Sequence, residues 1–190
     1  MLRSRIHRRT GLQSRRYSLA LSALTVVAAA ALLAPATAFP AGSGGVATPG
    51  SNAPTGDAKL VNGRAIAPVD APTRVANAIE AANKIVKGKD YCLGGGHGKW
   101  RSKCYDCSGT VSFALHGARM LDSPLPSGSL AKWGQKGKGD WITVYANGGH
   151  AYAVIAGLRL DTSMTAGAGP GWSDEMRSGK GYKKRRFRNY

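Results

Sequence analysis

Cysteine is sparse in this chain, and acids are far outnumbered by bases. Only Cys92, Cys104 and Cys107 occur, which excludes a multi-bridge disulfide framework: at most one pair can close within the chain, and one thiol is left over. Cys104 and Cys107 form the sole ligand pair at zinc-finger spacing, with no second pair downstream, which argues against a finger. Ten Asp and Glu stand against 27 Lys and Arg, and no acid precedes Asp57, giving a net charge of +17. No internal repeat or second apolar core is visible, so the 190 residues read as one globular domain with appendages.

The N-terminus has the pattern of an export leader. Six arginines, at positions 3, 5, 8, 9, 15 and 16, precede an almost wholly apolar, Ala-rich run from Leu19 to Ala34. Ala36-Thr37-Ala38 then offers a small-x-small cleavage site after Ala38. Residues 1–38 are read as a signal peptide, with an uncleaved N-terminal anchor as the rival. Ser14-Arg15-Arg16 with Leu19 partly resembles a twin-arginine signal, which leaves the export route open. The rest of the chain stays strongly basic. Outside a bacterial membrane its anionic partners are wall polymers, lipopolysaccharide or lipid head groups; a nucleic-acid partner is not expected, and the protein is expected to be a monomer.

Residues 39–72 are rich in Gly, Ala, Pro, Ser and Thr and read as a flexible linker. From Thr73, Val75, Ile79, Ala82 and Val86 share one helical face and predict a helix over 73–87. The glycine-rich run Tyr91-Cys92-Leu93-Gly94-Gly95-Gly96-His97-Gly98 predicts a loop. Asp106 can cap a second helix, running to about Leu121, with Val111, Ala114, Leu115 and Ala118 on its buried face. Residues 123–139 are punctuated by Pro and Gly and read as irregular. Strands are then predicted at 141–146, 151–156 and 158–162, with Asn147-Gly148-Gly149 as a tight turn. Helices followed by an antiparallel meander give an α+β domain, assigned to residues 73–175. Residues 176–190 read as a basic C-terminal tail, in which Lys183, Lys184, Arg185, Arg186 and Arg188 are interleaved with Tyr182, Phe187 and Tyr190. Such a tail either grips an anionic polymer or membrane face or is simply solvated.

The chemistry centres on Asp106-Cys107-Ser108-Gly109. A thiol in the first turn of a helix faces unpaired backbone N–H groups and the positive end of the dipole, which favours the thiolate. The same N–H groups can hold an oxyanion. A thiolate nucleophile needs an imidazole partner. His7 lies in the leader, and His116, nine residues after Cys107 on the same helix, points away from it. His97 in the glycine loop stays open, while His150, at a strand start, can project over a helix end and is the preferred base. Asp161, at the matching end of the next strand, can orient His150; the alternative is that it only caps the turn into Thr162-Ser163.

These segments, Tyr91 to Gly96, Tyr105 to Gly109 and His150 to Asp161, resemble the NlpC/P60 family of papain-like cell-wall peptidases. The resemblance implies N-terminal helices packed on a small antiparallel sheet, and a catalytic Cys107, His150 and Asp161. It also implies hydrolysis of amide bonds in peptidoglycan stem peptides, typically between D-γ-glutamyl and a diamino acid, with no metal and no cofactor. By the same match Tyr91 would line the site and donate toward substrate or oxyanion, and Asp106 and Ser108 would seat the substrate's amine end. The sequence departs from the family in three respects. The strand before His150 lacks the usual glycine-aspartate-leucine, the third residue is Asp161 rather than the commoner histidine, and no wall-binding repeat accompanies the domain.

Cys92 and Cys104 flank the glycine loop, and a disulfide between them would close it and leave Cys107 free. The alternatives are a Cys104-x-x-Cys107 redox pair and a zinc site built from the three cysteines and His97. A second reading of the whole chain follows from these: a basic envelope or wall-binding protein whose site is inactive or redox-active.

Overall fold

A computed structural model describes residues 56–164 and 168–190. The expected leader, residues 1–38, lies outside the described residues. Three helices and ten strands occur among those described, in an α+β arrangement. Helix α1 (Thr73–Asn83) and helix α2 (Cys107–Gly117) pack against each other and against one face of a six-stranded sheet. In that sheet β6 (Ile142–Ala146), β7 (Ala151–Ile155), β8 (Leu158–Asp161) and β9 (Gly171–Ser173) form the meander. The strands run antiparallel, with Val144 opposite Ala153 and Ala153 opposite Leu160. Alternation along them turns Val144, Ala153, Ile155 and Leu160 into a core shared with Val75, Ile79, Val111 and Leu115. Both helices end a few residues earlier than the apolar pattern suggests.

The structure corrects two expectations. The segment assigned to a linker contains a hairpin, β1 (Lys59–Val61) and β2 (Arg64–Ile66), turning at Asn62-Gly63, both with positive φ. An Asn-Gly pair takes this turn readily because both residues tolerate left-handed backbone. Ala58 and Ala65 are buried, and the Asn83 amide clamps β2 by accepting from Ala65 N at 3.0 Å and donating to Ala65 O at 2.8 Å.

The basic tail is likewise part of the fold. Its strand β10 (Lys183–Arg186) lies between β6 and β5 (Gln135–Lys136) and pairs antiparallel with both. Arg185 is buried because its guanidinium donates to the carbonyls of Lys132, Trp133 and Gly134. These carbonyls follow the short helix α3 (Ser127–Leu130), so the expected irregular stretch at 123–139 is anchored to the last strand of the sheet.

The glycine loop is held between two short strands, β3 (Asp90–Tyr91) and β4 (Cys104–Tyr105), which pair in parallel. Cys92 and Cys104 are joined in a disulfide with Cα atoms 5.6 Å apart, and Cys107 is the free cysteine. Cys104 is therefore unavailable for a redox pair with Cys107, and neither bridged sulfur is available to a metal. Among the described residues no group of three or more His, Cys, Asp or Glu is arranged to hold a metal ion, and no helix is long and apolar enough to cross a membrane.

Candidate active site

Asp106 fixes the start of α2. Its Oδ1 accepts from Gly109 N at 2.7 Å and from Ser108 Oγ at 3.1 Å, while Oδ2 accepts from Gly94 N at 3.0 Å. The capping bond satisfies one orphan amide of the first turn, and the Gly94 bond ties the glycine loop to the same carboxylate. Asp106 N in turn donates to Gly95 O at 3.1 Å. The loop approaches the helix so closely that a Cβ on Gly109 would collide with the Gly95 carbonyl. Cys107 is thus presented at a helix terminus braced by a disulfide-closed loop.

His97 joins this cluster, its Nε2 lying 3.0 Å from Asp106 Oδ1 and 3.1 Å from Ser108 Oγ. Asp106 and Ser108 are almost fully buried. In this structure their polar atoms are engaged with the glycine loop, the first turn of α2 and His97. The sequence leaves His97 open as a partner, since nothing in a glycine-rich run fixes where its side chain points. His116 lies elsewhere, stacked on Trp100 at 3.8 Å and bonded to Leu121 O.

The facing sheet supplies the imidazole. Asn147 Oδ1 accepts from the N–H groups of Gly149 and His150, setting the turn that delivers His150 to the start of β7. His150 Nε2 lies 2.9 Å from Asp161 Oδ1, and the ring is near enough to the Cys107 thiol for each to shift the other's titration. With Nε2 engaged by the carboxylate, Nδ1 is the nitrogen left for sulfur. Asp161 is fully buried and accepts further bonds from Thr162 N at 2.7 Å, Ser163 Oγ at 2.9 Å and Arg177 Nη1 at 3.1 Å. The capping role considered for Asp161 and its bond to His150 coexist: Oδ1 serves both.

Arg177 is a site residue that the sequence does not reveal. It reaches back from the segment read as a tail and spans Asp161 and Ser163 while lying over the rings of Tyr152 and Tyr182, 5.3 and 5.5 Å away. One arginine in a tail crowded with basic and aromatic residues carries no local signal for such a contact.

These contacts set the protonation states. Burial raises the Cys107 thiol, but the neighbouring His150 ring, the Ala151 N–H and the imidazolium charge outweigh it, so the net shift is downward. His150 is pushed up to about 9, first by its bond to Asp161 and then by Cys107. Burial would raise Asp161, yet the His150 bond and charge with the Ser163 and Arg177 donors bring it down to about 2. All three shifts favour a thiolate–imidazolium pair backed by a carboxylate. Tyr91 stands exposed beside them; burial, then the negative charge of Cys107 and Asp106, pushes its hydroxyl above the ordinary range.

The arrangement is that of an activated thiol with its proton carrier and an orienting carboxylate, on an α+β scaffold. A cysteine-bearing helix packed on an antiparallel sheet, with His and Asp on successive strands, is also the order of elements that the NlpC/P60 resemblance implies. No family model and no curated protein matches the chain. Solved structures similar to it include the following three. One is the P60 domain of an antigen from M. avium subspecies paratuberculosis (18% identity, 59% of this chain and 93% of that one, TM-score 0.41). Another is a mutant of the resuscitation promoting factor interacting protein RipA (19%, 69% and 70%, TM-score 0.47). The third is a hypothetical invasion protein of Mycobacterium tuberculosis (19%, 68% and 70%, TM-score 0.44).

Proposed function

We propose that the protein is an exported cysteine peptidase that hydrolyses amide bonds in peptidoglycan stem peptides, of the D-γ-glutamyl-diamino acid endopeptidase type. One observation carries the hydrolase reading: a free thiol at a helix N-terminus is electrostatically coupled to an imidazole that is itself bonded to a buried carboxylate. The NlpC/P60 motifs supply the substrate class, and the leader pattern supplies the export.

The Cys107 thiolate attacks the carbonyl carbon, and the carbonyl π electrons move onto oxygen. Asp106 already takes the Gly109 N–H, leaving those of Cys107 and Ser108 at the helix start for the oxyanion. The His150 imidazolium gives its proton to the departing nitrogen as the C–N bond breaks, leaving a thioester on Cys107. Neutral His150 then takes a proton from water, whose oxygen attacks the thioester. The acid is released and the thiolate–imidazolium pair returns. Asp161 keeps the ring oriented and stabilises its cationic form throughout. Tyr91, exposed and within electrostatic reach of Cys107, is assigned the role of donating its hydroxyl toward the substrate.

Digestion of purified peptidoglycan followed by mass spectrometry of the muropeptides tests the proposal. The expected result is new γ-glutamyl carboxylates and free diamino acid amines, with complete loss in Cys107→Ala and after iodoacetamide. Equal digestion by Cys107→Ala and the parent would refute it.

A further inference from the structure

The folded tail creates a feature that a loose one could not. Beside the triad lies an open groove of about 680 Å³ whose walls carry Lys132, Lys136 and Lys183, with Tyr182 at one end. All three lysines are exposed, and none forms an ion pair with an acid among the described residues. No Asp or Glu lines the groove. The frame is rigid: Lys183 and Lys184 sit on β10, Lys136 on β5, and Gly137 N donates to Lys184 O at 3.0 Å across the two strands. Arg185 beneath is spent on the three carbonyls after α3, so it holds the groove together and is not a free cation within it.

Tyr182 links the groove to the triad. The Tyr182 ring meets the His150 ring edge to face at 6.3 Å and Tyr152 at 5.2 Å. Asn147, which sets the His150 turn, donates to Gly181 O at 3.3 Å, and Ser127 of α3 donates to Gly148 O at 3.3 Å. The turn that delivers His150 is therefore pinned on one side by Gly181, next to the groove residue Tyr182, and on the other by Ser127 of α3. Chemistry gives this side of the site a meaning. The imidazolium must reach the departing nitrogen, so the part of the substrate that leaves as the amine lies on the His150 side.

We propose that this lysine groove is the subsite for the leaving half of the substrate, and that this half is anionic, carrying at least one free carboxylate. The proposal rests on the hydrolase reading for the direction of the substrate. Three uncompensated lysines, Lys132, Lys136 and Lys183, around one concave surface favour an acidic ligand over a neutral or basic one, while the Lys184 side chain turns to the other face of the sheet beside Tyr145 and Gly179.

The test uses two synthetic γ-D-glutamyl-diamino acid peptides that differ only in whether the carboxylates of the diamino acid are free or amidated. Calorimetry with full-length Cys107→Ala reads binding without turnover. The free-acid peptide is expected to bind roughly tenfold more tightly, about what one well-made charged contact contributes. That preference should shrink to near parity in Cys107→Ala carrying Lys136→Gln and Lys183→Gln, and should narrow as salt is added. Equal binding of the two peptides, or a preference that survives the lysine substitutions, overturns the subsite. So does a loss of binding to anionic lipid vesicles on the same substitutions without any peptide preference, which would make the groove a membrane contact. The two readings fail separately. A carboxylate preference in Cys107→Ala alongside a parent that cleaves neither peptide leaves the subsite standing and removes the bond assignment. Cleavage of both peptides at one rate, with equal binding, does the reverse.

Discussion

Replacing Asp161 by Asn is the most informative single perturbation. The side chain keeps its size, but the charge that faces His150, Arg177 and Ser163 disappears. His150 titrates at about 9 against an ordinary 6.5, and the Asp161 bond is the largest contribution, ahead of that from Cys107. That gap corresponds to ~3 kcal/mol of preference for the imidazolium. If Asp161 supplies a third or more of it, the thiolate–imidazolium form loses ~1–3 kcal/mol, and kcat/KM falls ~5- to 150-fold. Turnover also depends on pH with a definite sign. The imidazolium form is present below about 9, so hydrolysis declines as pH rises through that value; in Asp161→Asn the alkaline limb moves toward 6.5. The acid limb reports Cys107 and moves up, because a weaker imidazolium stabilises the thiolate less. Iodoacetamide alkylation rates against pH, alongside hydrolysis rates, read both limbs. An Asp161→Asn variant with both profiles unchanged would refute the role assigned to the carboxylate.

Four further outcomes follow from the same geometry. Arg177→Met removes a donor to Asp161 Oδ2 and should lower kcat/KM several-fold while leaving the His150–Asp161 bond intact, with partial rescue by Arg177→Lys; no change in either variant would make Arg177 a surface residue only. Asp161 also contributes stability that is fully present above its ordinary 3.8 and is lost as pH falls toward 2. A chemical-denaturation series across that window should show ~2 kcal/mol of loss that is absent from Asp161→Asn. Gly109→Ala should cost ~2–3 kcal/mol in thermal unfolding and most of the activity, because the new methyl displaces the Gly95 carbonyl. Paired Cys92→Ser and Cys104→Ser substitutions open a loop with a sequence separation of 12 and should cost ~3 kcal/mol, a loss visible as a lower melting temperature without new alkylation sites.

Much of the architecture is legible in the sequence because the relevant signals are local. A capping aspartate before an apolar helical face fixes where Cys107 sits, and period-two alternation with Asn147-Gly148-Gly149 between two runs fixes where His150 begins its strand. What escapes such reading is decided by contacts across the chain. Lys183–Arg186 has no apolar alternation, and it enters the sheet because Arg185 finds three carbonyls some fifty residues earlier. The same long reach hides Arg177. The hairpin at 59–66 is a different case: Asn62-Gly63 is a strong turn signal, but it is submerged in a segment whose composition is that of a linker. His97 needs the folded glycine loop, since the bonds of Gly94 and Gly95 to Asp106 bring it over Ser108.

The parallel pairing of Asp90–Tyr91 with Cys104–Tyr105 has a consequence for sulfur chemistry. Three thiols lie within sixteen positions, close enough in the chain for more than one pairing. By setting Cys92 opposite Cys104 while the next helix carries the third sulfur to the sheet, the scaffold chooses which thiol survives oxidation. Arrival in an oxidising compartment would then mature the molecule, where an unguided oxidation would silence it.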